Sequence, residues 1–236
     1  MTAITGSLAA LAVAAFAFVA SHLALPLPAL RRRLMAALGD TGYLILYSAL
    51  SLALFAWMIA AFRAAPATPL WSAPTALRYL ALSVMAPAVL LVVCGYTQGN
   101  PTAVVLDRFA GVAPHGITRV SRHPVMWGVG LWAIAHLLAN GEASALILFV
   151  AIGVLAFAGA ALIDRRRAAT GGEAWRALAA KTSNLPFAAL VQGRAGAGLG
   201  QTLAEIGAWR LALGCALYAA LFLAHPWLAG TPAFRP

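Results

Sequence analysis

The sequence predicts an all-α integral membrane protein, a polytopic bundle of about six transmembrane helices, from three observations. Of the 236 residues, 63% are hydrophobic and only 9% are charged, and the mean hydropathy is +0.87. A soluble domain carries roughly 25% charged residues, so this chain cannot cover a water-facing surface. The apolar residues form six long runs, and most basic residues lie between the runs. The length suits a single transmembrane domain, residues 1–236.

The apolar runs have nearly the length that a membrane-crossing helix needs. A hydrocarbon core about 30 Å thick requires about 20 helical residues. The fourth and fifth runs are separated by the polar turn Asn140-Gly141-Glu142, which indicates a helical hairpin. The six runs are residues 5–27, 41–62, 77–97, 124–140, 143–163 and 205–228.

The basic residues predict the orientation. Twelve of the 16 Lys and Arg residues lie in three alternate loops, and such loops stay on the cytoplasmic side. We therefore expect a protein of the bacterial inner (cytoplasmic) membrane with both termini periplasmic. The net charge of +10 is then a topology signal, and because no basic stripe is interleaved with aromatic residues, nucleic-acid binding is not expected. The twelve are Arg31, Arg32, Arg33, Arg108, Arg119, Arg122, Arg165, Arg166, Arg167, Arg176, Lys181 and Arg194.

Two segments between the runs differ from simple linkers. Residues 98–122 contain several glycines and prolines, which predicts an irregular cytoplasmic loop. Residues 164–195 begin with a basic cluster and include Trp175 and Leu178, which predicts a short amphipathic segment at the cytoplasmic interface.

Histidines are the side chains in the apolar runs that are best suited to catalysis or metal binding. The central parts of the first five runs contain no Asp, Glu, Lys or Arg, so a pair of catalytic carboxylates is excluded there. His22 and His136 lie within apolar runs, where an ionisable side chain is a functional-site hypothesis. His123 precedes Pro124, where it is either a helix cap or a ligand. For His115 and His225, at helix ends, we favour an interfacial hydrogen-bonding role.

Neutral imidazole is a common ligand for metals, and haem iron in a helical bundle takes one or two such nitrogens in an apolar slot. Gly128 and Gly130 suit either such a slot or close helix packing.

The two cysteines, Cys94 and Cys215, lie in apolar runs, and no Cys-x-x-Cys-His motif is present. A disulfide framework and a covalently attached haem are therefore excluded.

Several motifs together resemble the NnrU family, bacterial integral membrane proteins linked to denitrification, and the related 15-cis-zeta-carotene isomerases. The core of the resemblance is Ile117-Thr118-Arg119 to Ser121-Arg122-His123-Pro124, followed by Trp132-Ala133-Ile134-Ala135-His136-Leu137. Further matching pieces are Ser21-His22, Gly39 to Tyr47, Asp164-Arg165-Arg166, Lys181-Thr182-Ser183, Pro186-Phe187-Ala188-Ala189 and Ala224-His225-Pro226.

The resemblance implies a haem b that is not covalently attached. It implies His22 and His136 as the axial ligands of the iron, with His123 in reserve, and redox-dependent isomerisation of a carotenoid as the activity. Ala133 stands where the isomerases have a cysteine, so a thiol ligand is absent at that position. The expected helix positions also place His22 and His136 roughly 13 Å apart in depth, which is a long separation for two ligands of one iron.

Two other functions remain open from the sequence. The motif Arg122-His123-Pro124, the helical hairpin and the basic segment after it also resemble membrane methyltransferases that use S-adenosylmethionine, although Asp164-Arg165-Arg166-Arg167 lacks their acidic pair. A non-catalytic assembly factor for nitrite and nitric oxide reductases is the other alternative. The expected partners are the lipid bilayer and a hydrophobic small molecule such as a carotenoid.

Overall fold

The structure, a computed structural model, describes residues 4–99 and 113–234, and its regular elements there are helices. Arg108 and most of the predicted loop 98–122 lie outside the described residues, as does Arg235. The prediction of an all-helical membrane bundle is confirmed. The helices are α1 Leu8–Ala24, α2 Pro28–Ala64, α3 Thr75–Thr97, α4 Ile117–Val120, α5 Pro124–Ala139, α6 Ala143–Thr170, α7 Gly172–Lys181, α8 Ala188–Val191, α9 Leu199–Ile206 and α10 Ala208–Ala229.

Each predicted apolar run overlaps one of the six main helices. Four of them, α2, α3, α6 and α10, are long and apolar enough to cross a membrane. Helices α1 and α5 are equally apolar but have 17 and 16 residues, which corresponds to about 25 Å of helix. The main helices pack as a row in the order α2, α1, α6, α5, α3, α10.

Three boundaries differ from the sequence prediction, for local backbone reasons. Arg31, Arg32 and Arg33 are helical because Pro28 starts α2 at its first turn, and the break comes later, at Gly39 with a φ of 71°. Gly207, with a φ of 84°, separates α9 from α10, so the last run is interrupted near its start. Within residues 113–122 the chain forms the one-turn helix α4.

The bundle has two distinct ends, which matter for the site. At the first end, called the hairpin end, the linker 65–74 meets the turn 140–142, because the Leu70 amide donates to the Gly141 carbonyl at 2.8 Å and the Ala143 amide donates to the Thr68 carbonyl at 3.0 Å. At the opposite end, called the arginine end, Arg122 pairs with Asp164 at 2.9 Å. Helices α1 and α6 therefore run in one direction, and α2 and α5 run in the other.

Glycines of α5 allow close contact with α3 through Gly128 and with α6 through Gly130. A Cβ atom on Gly128 would lie 2.7 Å from the Ala88 carbonyl oxygen, and one on Gly130 would lie 2.4 Å from the ring of Phe157. Of the two roles that the sequence left open for these glycines, the structure supports helix packing.

Outside the row, α7 is amphipathic, as predicted for this segment. Trp175 and Leu178 are buried against the bundle, while Glu173, Arg176 and Ala177 are exposed.

Candidate functional site

His136 lies in the last turn of α5, inside an aromatic cluster at the hairpin end. Its ring stacks on Phe149 of α6, with 4.5 Å between the ring centroids, and lies 4.7 Å from the ring of Trp132. Its Nδ1 is 2.8 Å from the Trp132 carbonyl oxygen. Because a carbonyl only accepts, Nδ1 carries the hydrogen, and Nε2 keeps the lone pair that a metal ligand needs.

His22 has the same local chemistry in a different place. It lies in the last turn of α1, and its Nδ1 donates to the Phe18 carbonyl at 3.0 Å, which again leaves the lone pair on Nε2. Its ring contacts Phe18 and Tyr47, with centroids 4.3 and 5.5 Å away.

The structure does not bring His22 and His136 together. Tyr47, which contacts His22, lies within electrostatic range of Arg166 near the arginine end of α6, whereas His136 stacks on Phe149 near the other end of α6. Phe149 and Arg166 are 17 positions apart, which corresponds to about 25 Å of helix. The two imidazoles thus lie in separate aromatic clusters, and their joint ligation of one iron, which the family resemblance implies, stays a prediction.

His225 is the histidine nearest to His136 in the described part of the chain. Their ring centroids are 6.3 Å apart, and the ring planes are inclined by 23°. The Nδ1 of His225 donates to the Thr231 carbonyl at 2.6 Å, so the hydrogen-bonding role expected for this residue is present.

His123 belongs to a polar cluster at the arginine end. It is only 1% exposed, and its Nε2 lies 2.6 Å from Asp164 Oδ1. Arg122 donates to the same carboxylate through Nε and Nη2, and to the Thr182 carbonyl through Nη1. The Nδ1 of His123 is buried without a hydrogen-bond partner. As a reserve metal ligand, His123 would have to use this enclosed Nδ1.

This polar cluster also gives the Arg122-His123-Pro124 motif a structural role. The Arg122 amide donates to the Ser183 carbonyl at 2.9 Å, and the Ser121 hydroxyl donates to the Asn184 carbonyl at 2.7 Å, so the motif anchors the segment after α7. The single carboxylate of Asp164 is already bonded to Arg122 and His123. Arg122 and His123 of the motif thus each have partners within the protein.

A second polar cluster holds α9 against the chain before α5. Arg119 donates to the Glu205 carboxylate at 2.7 Å, and the Gly116 amide donates to it at 2.7 Å. The hydrogen bonds from Arg119, supported by the Gly116 amide and the positive charge of Arg119, lower the pKa of Glu205 to about 2. His115 Nδ1 lies 3.4 Å from the same carboxylate, so this surface histidine has the helix-end polar role expected for it.

Two features of the site were missed from the sequence. Asp164 stands next to a basic run in the sequence, and a lone carboxylate beside three arginines at the end of an apolar helix is a signal for a buried pair. The proximity of His225 to His136 has no sequence signal, since 88 residues separate the two along the chain.

Comparison with known proteins places these observations in a family. The family model described as NnrU protein matches residues 10–233. The 15-cis-zeta-carotene isomerase of Zea mays, a chloroplast protein, is 40% identical over 79 residues, which are 34% of this chain and 22% of that protein. The corresponding isomerase of Arabidopsis thaliana is 40% identical over 81 residues, again 34% of this chain and 22% of the relative. The matched part thus spans about a fifth of these relatives. No solved structure matches.

Proposed function

The chain belongs to the NnrU family, and on that premise we propose that it is a haem-b-binding membrane protein with redox-linked, isomerase-like chemistry on a hydrophobic molecule such as a carotenoid. The observation that carries the proposal is the His136 imidazole. It is half-buried among aromatic rings, and its Nε2 lone pair is left available by the bond from Nδ1 to the Trp132 carbonyl.

The residues around His136 would orient the ring and keep it dry. The bond from Nδ1 fixes the tautomer, and the stacked ring of Phe149 restricts rotation about the side-chain bonds. A hydrogen bond of this kind also makes the opposite nitrogen a better donor to a metal. Haem iron bound at Nε2 would supply one-electron redox chemistry.

The substrate class rests on two supports. Two relatives are named 15-cis-zeta-carotene isomerase, and their likeness to this chain is 40% identity over about a third of its length. The outer helices α2 and α10 also expose many large apolar side chains, among them Leu52, Leu223 and Trp227. A long polyene dissolves in the hydrocarbon that such surfaces contact.

An absorption spectrum tests the haem proposal. The full chain, expressed with a haem precursor and purified in detergent, should show a Soret band. His136→Ala should weaken or shift that band, whereas His115→Ala should not, because the His115 side chain is 62% exposed and its Nδ1 lies 3.4 Å from the Glu205 carboxylate. Absence of the band from the wild-type protein would refute haem binding.

A separate assay tests the isomerase chemistry. Cells that accumulate a 15-cis carotenoid should convert it to the trans form when they express the chain, and not when they express the His136→Ala variant. An unchanged carotenoid profile with the wild-type chain would refute the isomerase part of the proposal. Haem binding would still be decided by the absorption spectrum.

A helper role in denitrification is the second candidate. The NnrU match covers residues 10–233, whereas the likeness to the named isomerases covers 34% of the chain. We expect a deletion strain to lose nitrite or nitric oxide reduction if this role is the main one. Normal reduction of both in that strain would exclude it.

A further inference from the structure

Two of the main helices are shorter than a typical bilayer core, which is about 30 Å thick. Helix α5, Pro124–Ala139, has 16 residues and is about 24 Å long, and α1, Leu8–Ala24, has 17 residues and is about 25 Å long. Helix α1 exposes Val13 and Phe16, so it faces lipid directly. A long helix can tilt to fit a thin core, but a short helix makes the bilayer around it thinner. The short helices therefore limit the thickness that the protein can match.

Bonded polar groups at both ends prevent α5 from extending. Before its first residue, Arg122 is paired with the Asp164 carboxylate at 2.9 Å. After its last residue, the Glu142 carboxylate accepts a hydrogen bond from the Thr68 amide at 2.8 Å. A further helical turn at either end would have to break one of these bonds. The apolar length of α5 is therefore fixed at about 24 Å.

The outward faces of α3 and α10 each carry an exposed aromatic residue near both ends of the helix. On α3 these are Tyr79 and Tyr96, each more than half exposed. On α10 they are Trp209 and Trp227, which are also more than half exposed. Tyrosine and tryptophan are enriched where the hydrocarbon meets the lipid headgroups, because their rings are apolar and carry one polar group. The four rings are therefore candidates for the two boundaries of the hydrocarbon core.

The two aromatic pairs have nearly the same spacing. Tyr79 and Tyr96 are 17 positions apart, which corresponds to about 25 Å of helix. Trp209 and Trp227 are 18 positions apart, which corresponds to about 27 Å of helix. Residues 80–95, between the first pair, contain no Asp, Glu, Lys or Arg. The spacing of the rings on α3 and α10 thus agrees with the lengths of α1 and α5, which are different helices.

Contacts between the α3 and α10 regions place the rings of the two helices at matching ends. The Arg210 guanidinium donates to the Thr97 carbonyl at 3.2 Å, so the first ring of α10 and the second ring of α3 both lie at the arginine end. The ring of Phe234, which follows α10, lies 4.9 Å from that of Tyr79, so the other two rings lie at the hairpin end. The four rings therefore mark two levels, one at each end of the bundle.

We propose that this protein fits a hydrocarbon core about 25 Å thick, and that it binds phospholipids with shorter acyl chains than those of a 30 Å core. Two independent measures support this thickness, namely the length of the short helices and the spacing of the aromatic rings on two other helices. In a thicker bilayer the lipids beside the bundle must compress, which costs free energy. The proposal concerns the lipid-facing surface and does not depend on the haem function.

Fluorescence quenching by brominated lipids tests the proposal, since bromine quenches nearby indole rings and the chain has 7 tryptophans. The full chain is reconstituted in mixtures of a brominated phosphatidylcholine with phosphatidylcholines whose monounsaturated chains have from fourteen to twenty-two carbons. The degree of quenching gives the relative lipid-binding constant for each chain length. This constant should be largest at fourteen or sixteen carbons and about two- to threefold smaller at twenty-two. A maximum at eighteen carbons or more, or no dependence on chain length, would overturn the proposal.

A double variant tests the role of the rings. Tyr79→Leu combined with Tyr96→Leu removes both rings of α3 and keeps every tryptophan as a reporter, and its preference for short chains should be about half that of the wild type. Phe16→Leu is the matched control, because it removes an exposed ring from the middle of α1, and it should keep the wild-type dependence.

The variants also give outcomes that count against the proposal. If the double variant does not fold, Tyr96→Leu alone is used, since it leaves the contact between Tyr79 and Phe234 in place. A wild-type dependence in the tyrosine variant, or an equal loss in Phe16→Leu, would overturn the assignment of the membrane boundary to these rings. Because the assay needs no haem, its failure is distinguishable from the absence of a Soret band.

Discussion

Asp164 shows how one carboxylate can organise a membrane protein that is poor in charge. It accepts hydrogen bonds from Arg122 and lies 2.6 Å from His123 Nε2, and the side chains of these residues are 21%, 14% and 0% exposed. Removing one partner of this largely enclosed cluster leaves the other charged groups uncompensated and is therefore destabilising. The cluster therefore fixes where α5 begins relative to the end of α6.

At the same scale, Glu205 should make stability depend on pH. Its pKa is lowered from 4.5 to about 2, mainly by hydrogen bonds from Arg119. The carboxylate therefore stabilises the fold above pH 4.5, and this contribution is lost as the pH falls toward 2, because the unfolded chain takes up the proton first. The contribution of the Glu205 carboxylate to the free energy of unfolding should be no more than about 1 kcal/mol, as for ion pairs near a surface.

Unfolding of the detergent-solubilised protein measures this effect. The difference in unfolding free energy between wild type and Glu205→Gln should be largest above pH 4.5 and should shrink toward pH 2. Glu173→Gln, at an exposed position on α7, is the control and should show no such trend. A difference that stays constant from pH 5 to pH 2 would contradict the assigned role.

At the scale of helices, the contact between α3 and α5 depends on glycine. A Cβ atom on Gly128 would lie 2.7 Å from the Ala88 carbonyl oxygen and 3.1 Å from the Val92 amide nitrogen, and backbone atoms cannot move aside cheaply. Gly128→Ala should therefore lower the free energy of unfolding by about 1 to 3 kcal/mol.

Gly159 provides the matched control for this substitution. It is also helical, in α6, and a Cβ atom there would meet nothing within 4 Å. Gly159→Ala should be neutral or stabilising by up to about 1 kcal/mol, because alanine restricts the unfolded chain. Equal effects of the two substitutions, measured by denaturant unfolding in detergent, would show that the contact between α3 and α5 is not tight.

The same helices show how far the sequence could predict the fold. Apolar runs and the turn at 140–142 predicted each main helix, because the length of an apolar run and its polar ends are local properties. The second run, 41–62, begins just after the break at Gly39, but the helical segment from Pro28 to that break was not predicted. The break at Gly207 was missed, since a glycine within a helical pattern does not reveal its φ angle. The order of the helices in the row, and with it the proximity of His136 to His225, depends on long-range packing that the sequence pattern does not contain.

For the whole molecule, the two ends of the bundle should face opposite sides of the membrane. The linker 65–74, the turn 140–142, the start of α1 and the end of α10 meet at or toward the hairpin end, as shown by the bond from Trp57 Nε1 to the Ile4 carbonyl and by the contact of Phe234 with Tyr79. Arg165, Arg166 and Arg167 lie at the other end of α6. Because basic residues are retained in the cytoplasm, we expect the hairpin end to be periplasmic.

Thiol labelling in intact cells checks this orientation. In a background with Cys94→Ser and Cys215→Ala, single cysteines are introduced as Ala67→Cys in the linker and Ala168→Cys at the exposed end of α6. A membrane-impermeant maleimide should label position 67 in intact cells and position 168 only after the membrane is disrupted, because about 30 Å of hydrocarbon separates the two ends. Labelling of position 168 alone in intact cells would show that the orientation is the opposite of the one expected. Labelling of both positions in intact cells would show that α6 does not cross the bilayer.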